Sequence, residues 1–146
     1  MNKHIAFIPA REGSVGFKHK NRLFFDNTAS FLDNIKWFDS IIVSSNDPEI
    51  ILQAEKHRYL AHNRSGLLSG PDVSIKSVIE NVIIEMQLNP DDYIWLFYLP
   101  ILYKDKNDFN KCKLLIESEN IKSLCSFVGA ETHPYNCWKF NQKNNQ

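Results

Sequence analysis

The hydrophobic positions of this chain fall into short, nearly continuous apolar runs, separated by stretches with helical spacing. Three runs, at residues 4–9, 39–45 and 92–99, are typical of strands that are buried on both faces of a parallel sheet. Residues 122–128 form another run of the same kind. The pattern therefore predicts four strands along the chain.

Three segments between or after these runs have the periodicity of amphipathic helices. One follows a cap at Asn46 or Asp47, a second follows Asp72 or Ser74, and a third covers residues 105–117. Strands that alternate with helices predict right-handed βαβ units. We therefore expect an α/β fold with a doubly wound, mostly parallel sheet.

The chain length sets the expected domain organisation. A chain of 146 residues fits a single domain, which we assign to residues 1–140, and the polar tail 141–146 is expected to be disordered. Only residues 28–38 remain for the crossover between the first two predicted strands. Since a crossover helix and its connections normally need more chain, we expect a short or irregular helix there.

Charge and cysteine usage narrow the class of protein. Seventeen Lys and Arg residues balance 17 Asp and Glu residues, so no global field favours nucleic acid or an anionic membrane as a partner. No apolar run approaches the ~20 residues that span a bilayer, and the start lacks a signal-peptide pattern. The 3 cysteines are widely spaced, which favours reduced thiols and a cytoplasmic protein.

The residues that follow the first strand, 9–21, carry the candidate chemistry. Ligands of open α/β sheets bind just beyond the carboxyl ends of the strands. Gly13 permits close backbone approach, Ser14 offers a hydroxyl, and the cations Arg11 and Lys20 suit phosphate oxygens. The segment fits neither the Walker A pattern nor the dinucleotide fingerprint. It predicts a local phosphate site, with a solvated basic loop as the alternative.

Five sequence motifs extend in order over nearly the whole chain. They are Ile8-Pro9-Ala10-Arg11 with Gly13-Ser14, Gly16 and Lys20-Asn21; residues 38–47; residues 64–74; residues 95–100; and Ser123-Leu124-Cys125-Ser126 with Thr132-His133-Pro134-Tyr135. In this order they resemble the cytidylyltransferases that activate sialic acids and related nonulosonic acids, the CMP-sialic acid synthetases.

This resemblance implies a Rossmann-like nucleotidyltransferase fold of three αβα layers. It also implies that CMP is transferred from CTP to a nine-carbon sugar acid, that pyrophosphate is released and that magnesium assists. Arg11 and Lys20 are the implied catalytic residues, and His133 and Tyr135 are the implied sugar-binding residues. The implied nucleotide-binding residues are Arg11, Gly13, Ser14, Lys20, Asn21, Arg64 and Ser74.

The chain departs from the family pattern at Glu12, where the family has an uncharged residue, and at Val15, where it has a lysine. Losing a charge-assisted contact to phosphate costs about 1.5–3 kcal/mol. The family also continues into a dimerisation insert and a pair of metal-binding aspartates that have no match here, so the metal ligands are unknown. The alternative function is a non-catalytic nucleotide-binding remnant or partner subunit, and a homodimer stays open. A third alternative is a nucleotidyltransferase of the same fold that acts on another sugar acid or phosphosugar.

Other candidate residues have plainer interpretations. Asp105 and Asp108 are expected to complement a helix dipole rather than bind a metal. His57 and His62 are expected at the surface. The three tryptophans are expected to be core or edge aromatics rather than a base-stacking platform.

Overall fold

The structure, a computed structural model, describes residues 2–13 and 17–126. Strands and helices alternate along the described chain. The strands are β1 (His4–Pro9), β2 (Ser40–Ser45), β3 (Leu60–Asn63) and β4 (Tyr93–Leu96). The helices are α1 (Lys20–Asp33), α2 (Pro48–Lys56), α3 (Ile75–Glu85) and α4 (Lys106–Glu119), with a short 3-10 helix at Gly66–Leu68.

The sheet has the strand order β3-β2-β1-β4, and every neighbouring pair is parallel. From β1 the chain continues through β2 to β3 at one edge of the sheet, and it then crosses back to β4, which lies on the other side of β1. Right-handed crossovers therefore place α1 and α2 on one face of the sheet and α3 on the opposite face. This arrangement confirms the predicted doubly wound α/β fold, which is Rossmann-like. Its topological switch point lies between β1 and β4.

The core on the α3 side of the sheet is a cluster of buried apolar side chains. Its members are Ile5, Phe7, Ile42, Val78 and Val82. Because successive strand residues point to opposite faces, Ala6 and Ile8 face the other helical layer, and both are fully buried. Burial of β1 on both faces anchors the loop that begins at its carboxyl end.

Helices α2 and α3 begin at residues that the sequence predicts as caps. Asp47 Oδ1 accepts a hydrogen bond of 3.0 Å from the Glu49 N–H. Ser74 Oγ accepts one of 3.1 Å from the Ser77 N–H. Each side chain satisfies a backbone donor that the helix itself leaves without a partner.

The prediction of a short or irregular crossover helix at 28–38 is wrong. Helix α1 spans 14 residues, because it begins inside the basic segment, at Lys20. Its buried face includes Phe25, Ala29 and Leu32, which lie four and three residues apart as a core-facing helix requires. The helix thus supplies the length that a parallel crossover needs.

Strand assignments differ from the prediction at two places. The sequence pattern did not reveal β3, a four-residue edge strand whose Leu60 is 47% exposed. Residues 122–126 contain no strand, contrary to the prediction for 122–128. Residues 127 and 128 lie outside the described part of the chain, as does the tail 141–146.

The chain divides into two compact units, one that ends at Lys106 and one that begins at Asn107. The first unit contains the whole sheet. In the second unit, which contains nearly all of α4, the Ile121 N–H donates to the Ile116 backbone oxygen at 3.3 Å. Among the described residues, no helix is both long and apolar enough to cross a membrane.

An aromatic cluster lies at the amino ends of β1 and β4. Trp95 Nε1 donates a hydrogen bond of 3.0 Å to His4 Nδ1, and the rings of Trp37 and Trp95 are 5.0 Å apart. This end of the strands is opposite to the end that carries the basic loop, so these tryptophans do not line that loop. Trp138 lies outside the described residues.

Candidate functional site

The β1 loop, residues 10–19, is tied to the end of β2 where it leaves the sheet. Ser45 Oγ donates a hydrogen bond of 2.6 Å to the Ala10 backbone oxygen. The Glu12 N–H donates one of 2.8 Å to Asn46 Oδ1. These contacts fix the first residues of the loop against the neighbouring strand end.

The described ends of the β1 loop, on either side of residues 14–16, lie close to each other. Gly13 has φ of +84°, in the left-handed region that favours glycine. Asn21, in the first turn of α1, donates from Nδ2 to the Arg11 backbone oxygen at 2.8 Å. This contact joins the two ends of the loop and brings Arg11 close to the start of α1. Residues 14–16, including Ser14, lie outside the described part.

Arg64, directly after β3, is buried, with 7% of its surface exposed. Its Nε donates to Ser44 Oγ at 3.1 Å, and its Nη2 donates to the Ser44 backbone oxygen at 3.0 Å. No carboxylate in the described chain pairs with it, and its Nη1 makes no hydrogen bond there. Burial, and then the charge of Arg11, lower the pKa of Arg64 to about 10, so it remains cationic at neutral pH.

A cavity of about 400 Å³ lies beyond the carboxyl end of β1. It brings together four of the residues that the sequence predicts for nucleotide binding: Arg11, Lys20, Asn21 and Arg64. The other lining residues are Pro9, Val73, Ile75, Val78, Tyr98 and Pro100. Because residues after both β1 and β4 contribute, the cavity lies at the switch point, where doubly wound sheets bind their ligands.

The lining of this cavity, called the switch-point cavity below, has two chemically distinct parts. Three cations, Arg11, Lys20 and Arg64, contribute positive charge, and none of the described lining residues is acidic. The side chains of α3 and of the segment before it, with Tyr98 and Pro100, contribute apolar surface. Such a combination suits a ligand that carries anionic groups at one end and a flat, weakly polar ring at the other.

Other predicted site residues lie near this cavity or outside the description. Ser74 caps α3 between Val73 and Ile75, and it is not among the lining residues. Gly13 lies in the β1 loop and does not line the cavity either. His133 and Tyr135, the predicted sugar-binding residues, lie outside the described residues.

An ion pair that the sequence did not suggest links the starts of α1 and α2. Arg22 Nε and Nη2 donate to Asp47 Oδ2 and Oδ1 at 2.7 and 2.9 Å. Burial alone would raise the pKa of Asp47, but the hydrogen bonds from Arg22 and from the Glu49 N–H outweigh it and lower that pKa. The bidentate pair holds the first turn of α1, and therefore Lys20 and Asn21, against the end of β2.

His62 is buried, with 3% of its surface exposed, so the prediction of a surface position is wrong. It lies on β3, the strand that the sequence pattern did not reveal. Its Nδ1 is 2.9 Å from Ser44 Oγ, the atom to which Arg64 Nε donates. Ser44 could have been found from its position at the polar end of the predicted strand 39–45, but without β3 no sequence signal identified His62.

A second cavity, of about 500 Å³, lies over the carboxyl ends of β2 and β3 and shares Arg64 with the switch-point cavity. Its remaining lining residues are Ser45, Asn46, Pro48, Ile51, Leu52, Glu55 and Asn63. The carboxylate of Glu55 makes it less suited to an anion than the switch-point cavity.

Among the described residues, no three His, Cys, Asp or Glu side chains form a group that could hold a metal ion. Comparison with known proteins finds no family model and no curated protein that matches this chain.

Proposed function

We propose that the chain binds CTP in the switch-point cavity and acts as a cytidylyltransferase of the CMP-sialic acid synthetase type. The observation that carries this proposal is the buried guanidinium of Arg64, which no carboxylate of the described chain neutralises and which meets Arg11, Lys20 and Asn21 in one cavity. Five ordered motifs with that family's pattern support the choice of nucleotide.

The cations of the cavity form the triphosphate end of the proposed site. Arg11 and Arg64 lie close enough for the charge of Arg11 to lower the pKa of Arg64. A bound polyanion would relieve this repulsion, and it would also provide the acceptor that Arg64 Nη1 lacks in the described chain. Lys20 Nζ, which has no described hydrogen-bond partner, adds a flexible point charge.

The base end of the proposed site combines apolar surface with one amide. Val78 and Tyr98 offer surface for the flat pyrimidine ring. The Nδ2 group of Asn21 is used by the Arg11 backbone oxygen, which leaves Oδ1 to accept from the cytosine amino group, a donor that uracil lacks. Asn21 therefore has two functions in the proposal: it holds the β1 loop and it selects cytosine.

The proposed reaction is attack by the anomeric hydroxyl of a nonulosonic acid on the α-phosphorus of CTP. An O–P bond to the sugar forms, the bond to the leaving pyrophosphate breaks, and the hydroxyl proton is lost to solvent or a base. Negative charge grows on the leaving group, so Arg11, Lys20 and Arg64 would contribute mainly by electrostatic stabilisation. Among the described residues no group of three possible metal ligands is found, so we assign no protein ligand to magnesium and derive no step through it. We place the reaction in the cytoplasm, in keeping with the free thiols of Cys112 and Cys125.

Calorimetric titration with CTP and with UTP, followed by a pyrophosphate-release assay, tests the proposal. We expect CTP to bind at least tenfold more tightly than UTP, because UTP offers no amino donor to Asn21. Pyrophosphate should then be released from CTP when magnesium and a nonulosonic acid are added. Equal affinity for both nucleotides, or no binding of either, would contradict the proposal.

One observation favours the alternative, a non-catalytic nucleotide-binding protein or partner subunit. The Glu12 N–H, which a phosphate-binding loop would direct at the ligand, donates instead to Asn46 Oδ1. The Glu12 side chain also adds a carboxylate to the loop. Binding of CTP without pyrophosphate release, at high protein concentration and with a range of nonulosonic acids, is the result that this alternative predicts.

A further inference from the structure

Arg64 belongs to a hydrogen-bonded chain that leads from the switch-point cavity to α3. Ser44 Oγ is 3.1 Å from Arg64 Nε and 2.9 Å from His62 Nδ1. On its other side, His62 Nε2 is 3.1 Å from Asn81 Oδ1 and 3.2 Å from Glu85 Oε2. Arg64, Ser44 and His62 are all buried, so the contacts among these three residues lie away from water.

The direction of every bond in this chain follows from its arginine end. A guanidinium can only donate, so Ser44 Oγ accepts from Arg64 Nε. The Ser44 hydroxyl then donates its own proton to His62 Nδ1. The neutral imidazole consequently carries its proton on Nε2, which donates toward Asn81 and the carboxylate of Glu85. Each contact has one donor and one acceptor.

The opposite arrangement, with a proton on His62 Nδ1, leaves a group without a partner. Ser44 Oγ would then accept from both Arg64 and His62, and its own proton would need a third contact. The described chain provides no further contact for this oxygen. An unmade hydrogen bond on a buried hydroxyl is unfavourable, so the geometry selects the Nε2 tautomer.

We infer that His62 is a positioning residue that orients the guanidinium of Arg64 for an anionic ligand. The inference rests on the proposed function, because it takes Arg64 as a ligand of the CTP phosphates. His62 Nδ1 accepts a hydrogen bond from the Ser44 hydroxyl, and this keeps a lone pair of Ser44 Oγ directed at Arg64 Nε. The carboxylate of Glu85 lies at the far end of this series of hydrogen bonds, so it supports Arg64 without occupying the donors that a phosphate needs.

The tautomer of His62 tests this arrangement in the free protein. Long-range proton–nitrogen NMR spectra of the imidazole report which ring nitrogen carries the proton. We expect the proton on Nε2 in the absence of any nucleotide. A proton on Nδ1 would overturn the inference, whether or not the protein binds CTP.

Variants at His62 test its effect on the ligand. His62→Phe keeps the ring volume but removes the acceptor, and we expect CTP affinity to fall about tenfold, while affinity for cytidine, which has no phosphate, stays unchanged. His62→Asn places an amide oxygen near the Nδ1 position and should restore much of the CTP affinity. His57→Phe, at a histidine remote from Arg64, is the matched control.

The outcomes separate this inference from the proposed function. If wild-type protein binds no CTP, the proposed function fails, and the tautomer measurement alone decides the direction of the hydrogen bonds from Arg64 to Glu85. If CTP binds and His62→Phe binds it equally well, the positioning role is wrong although the proposed function stands. An equal loss of affinity for CTP and cytidine would indicate a general structural defect and would also contradict the positioning role.

Discussion

The carboxylate of Asp47 receives two hydrogen bonds from the guanidinium of Arg22, at 2.7 and 2.9 Å, and so connects the first turns of two helices that begin at adjacent strand ends. Asp47 also caps α2. The pair holds the start of α1, where Lys20 and Asn21 lie, against the end of β2.

Replacement of Asp47 by asparagine should lower Tm at neutral pH. Asparagine still caps α2, so the loss isolates the charge that pairs with Arg22. The folded-state pKa of Asp47 lies below its ordinary value of 3.8, so its stabilising effect is present above that pH and is lost as the pH falls through the folded-state pKa. Thermal unfolding of both proteins as the pH is lowered from 7 to below 3.8 should therefore show converging Tm values. A constant difference in Tm across this range would contradict this account.

Replacement of Lys20 by alanine should weaken CTP binding by about one to two powers of ten. Lys20 lines the switch-point cavity, and loss of a charge-assisted phosphate contact lowers affinity by about one to two powers of ten. Lys18→Ala is the matched comparison, because Lys18 lies in the same loop but does not line the cavity. Equal losses in calorimetric titrations of the two variants would favour the solvated basic loop over a built site.

The fold was predictable from the sequence where burial covers both faces of an element. The continuous apolar run of β1 reflects helices on both sides of it, and the pattern found it with its observed limits. The four-residue edge strand β3 has an exposed Leu60, so its pattern resembles that of a loop. The sequence pattern also missed the first turn of α1, because the polar side chains of that turn face the cavity and solvent instead of the core.

The candidate site was predictable only in part, because proximity in the sheet is not a local property of sequence. Arg64 and Arg11 belong to different strand ends, and the parallel order β3-β2-β1 brings both ends to one edge. The resemblance to a family implied both residues, but it did not give the contact of Arg64 with Ser44 or that of Arg11 with Asn21. His62 was wrongly predicted at the surface because β3 was missed. The buried hydrogen bonds that connect it with Ser44 and Arg64 could not be inferred without that strand.

Replacement of Asn21 by aspartate should weaken CTP binding and loosen the β1 loop. Aspartate has nearly the same shape, but its carboxylate cannot donate to the Arg11 backbone oxygen and adds negative charge to the cavity. We expect CTP affinity to fall by more than tenfold. Hydrogen exchange should become faster at the Glu12 N–H, which lies in the same loop. Asn27→Asp, on the exposed side of α1, is the control and should leave both measurements unchanged.

Replacement of Tyr59 by phenylalanine should destabilise the fold by about 1–2 kcal/mol. The Tyr59 hydroxyl is 2.6 Å from Asp33 Oδ1 and 3.1 Å from the Ala29 backbone oxygen, and it connects the segment before β3 to α1. Tyr103→Phe, at a side chain that is 84% exposed, should have little effect in the same denaturant titrations.

The stabilising effect of the Tyr59 hydroxyl should also depend on pH. Burial first, and then the hydrogen bond and charge of Asp33, raise the pKa of Tyr59 above its ordinary value of 10.0. The unfolded chain therefore loses this proton at lower pH than the folded protein, so the contribution is complete below pH 10 and declines above it. A difference between wild type and Tyr59→Phe that grows above pH 10 would show that the sign is wrong.

Replacement of Arg64 by methionine should separate stability from ligand binding. The arginine is buried beside another cation and lacks a described carboxylate partner, so an apolar side chain of similar length removes an unfavourable burial of charge. Without the guanidinium, the Ser44 backbone oxygen still accepts a hydrogen bond of 2.9 Å from the Ala10 N–H, and the Ser44 hydroxyl keeps His62 as its acceptor. We therefore expect Arg64→Met to retain or raise Tm while its CTP affinity falls at least tenfold. A fall in Tm together with unchanged CTP affinity would mean that Arg64 serves the fold and not a ligand.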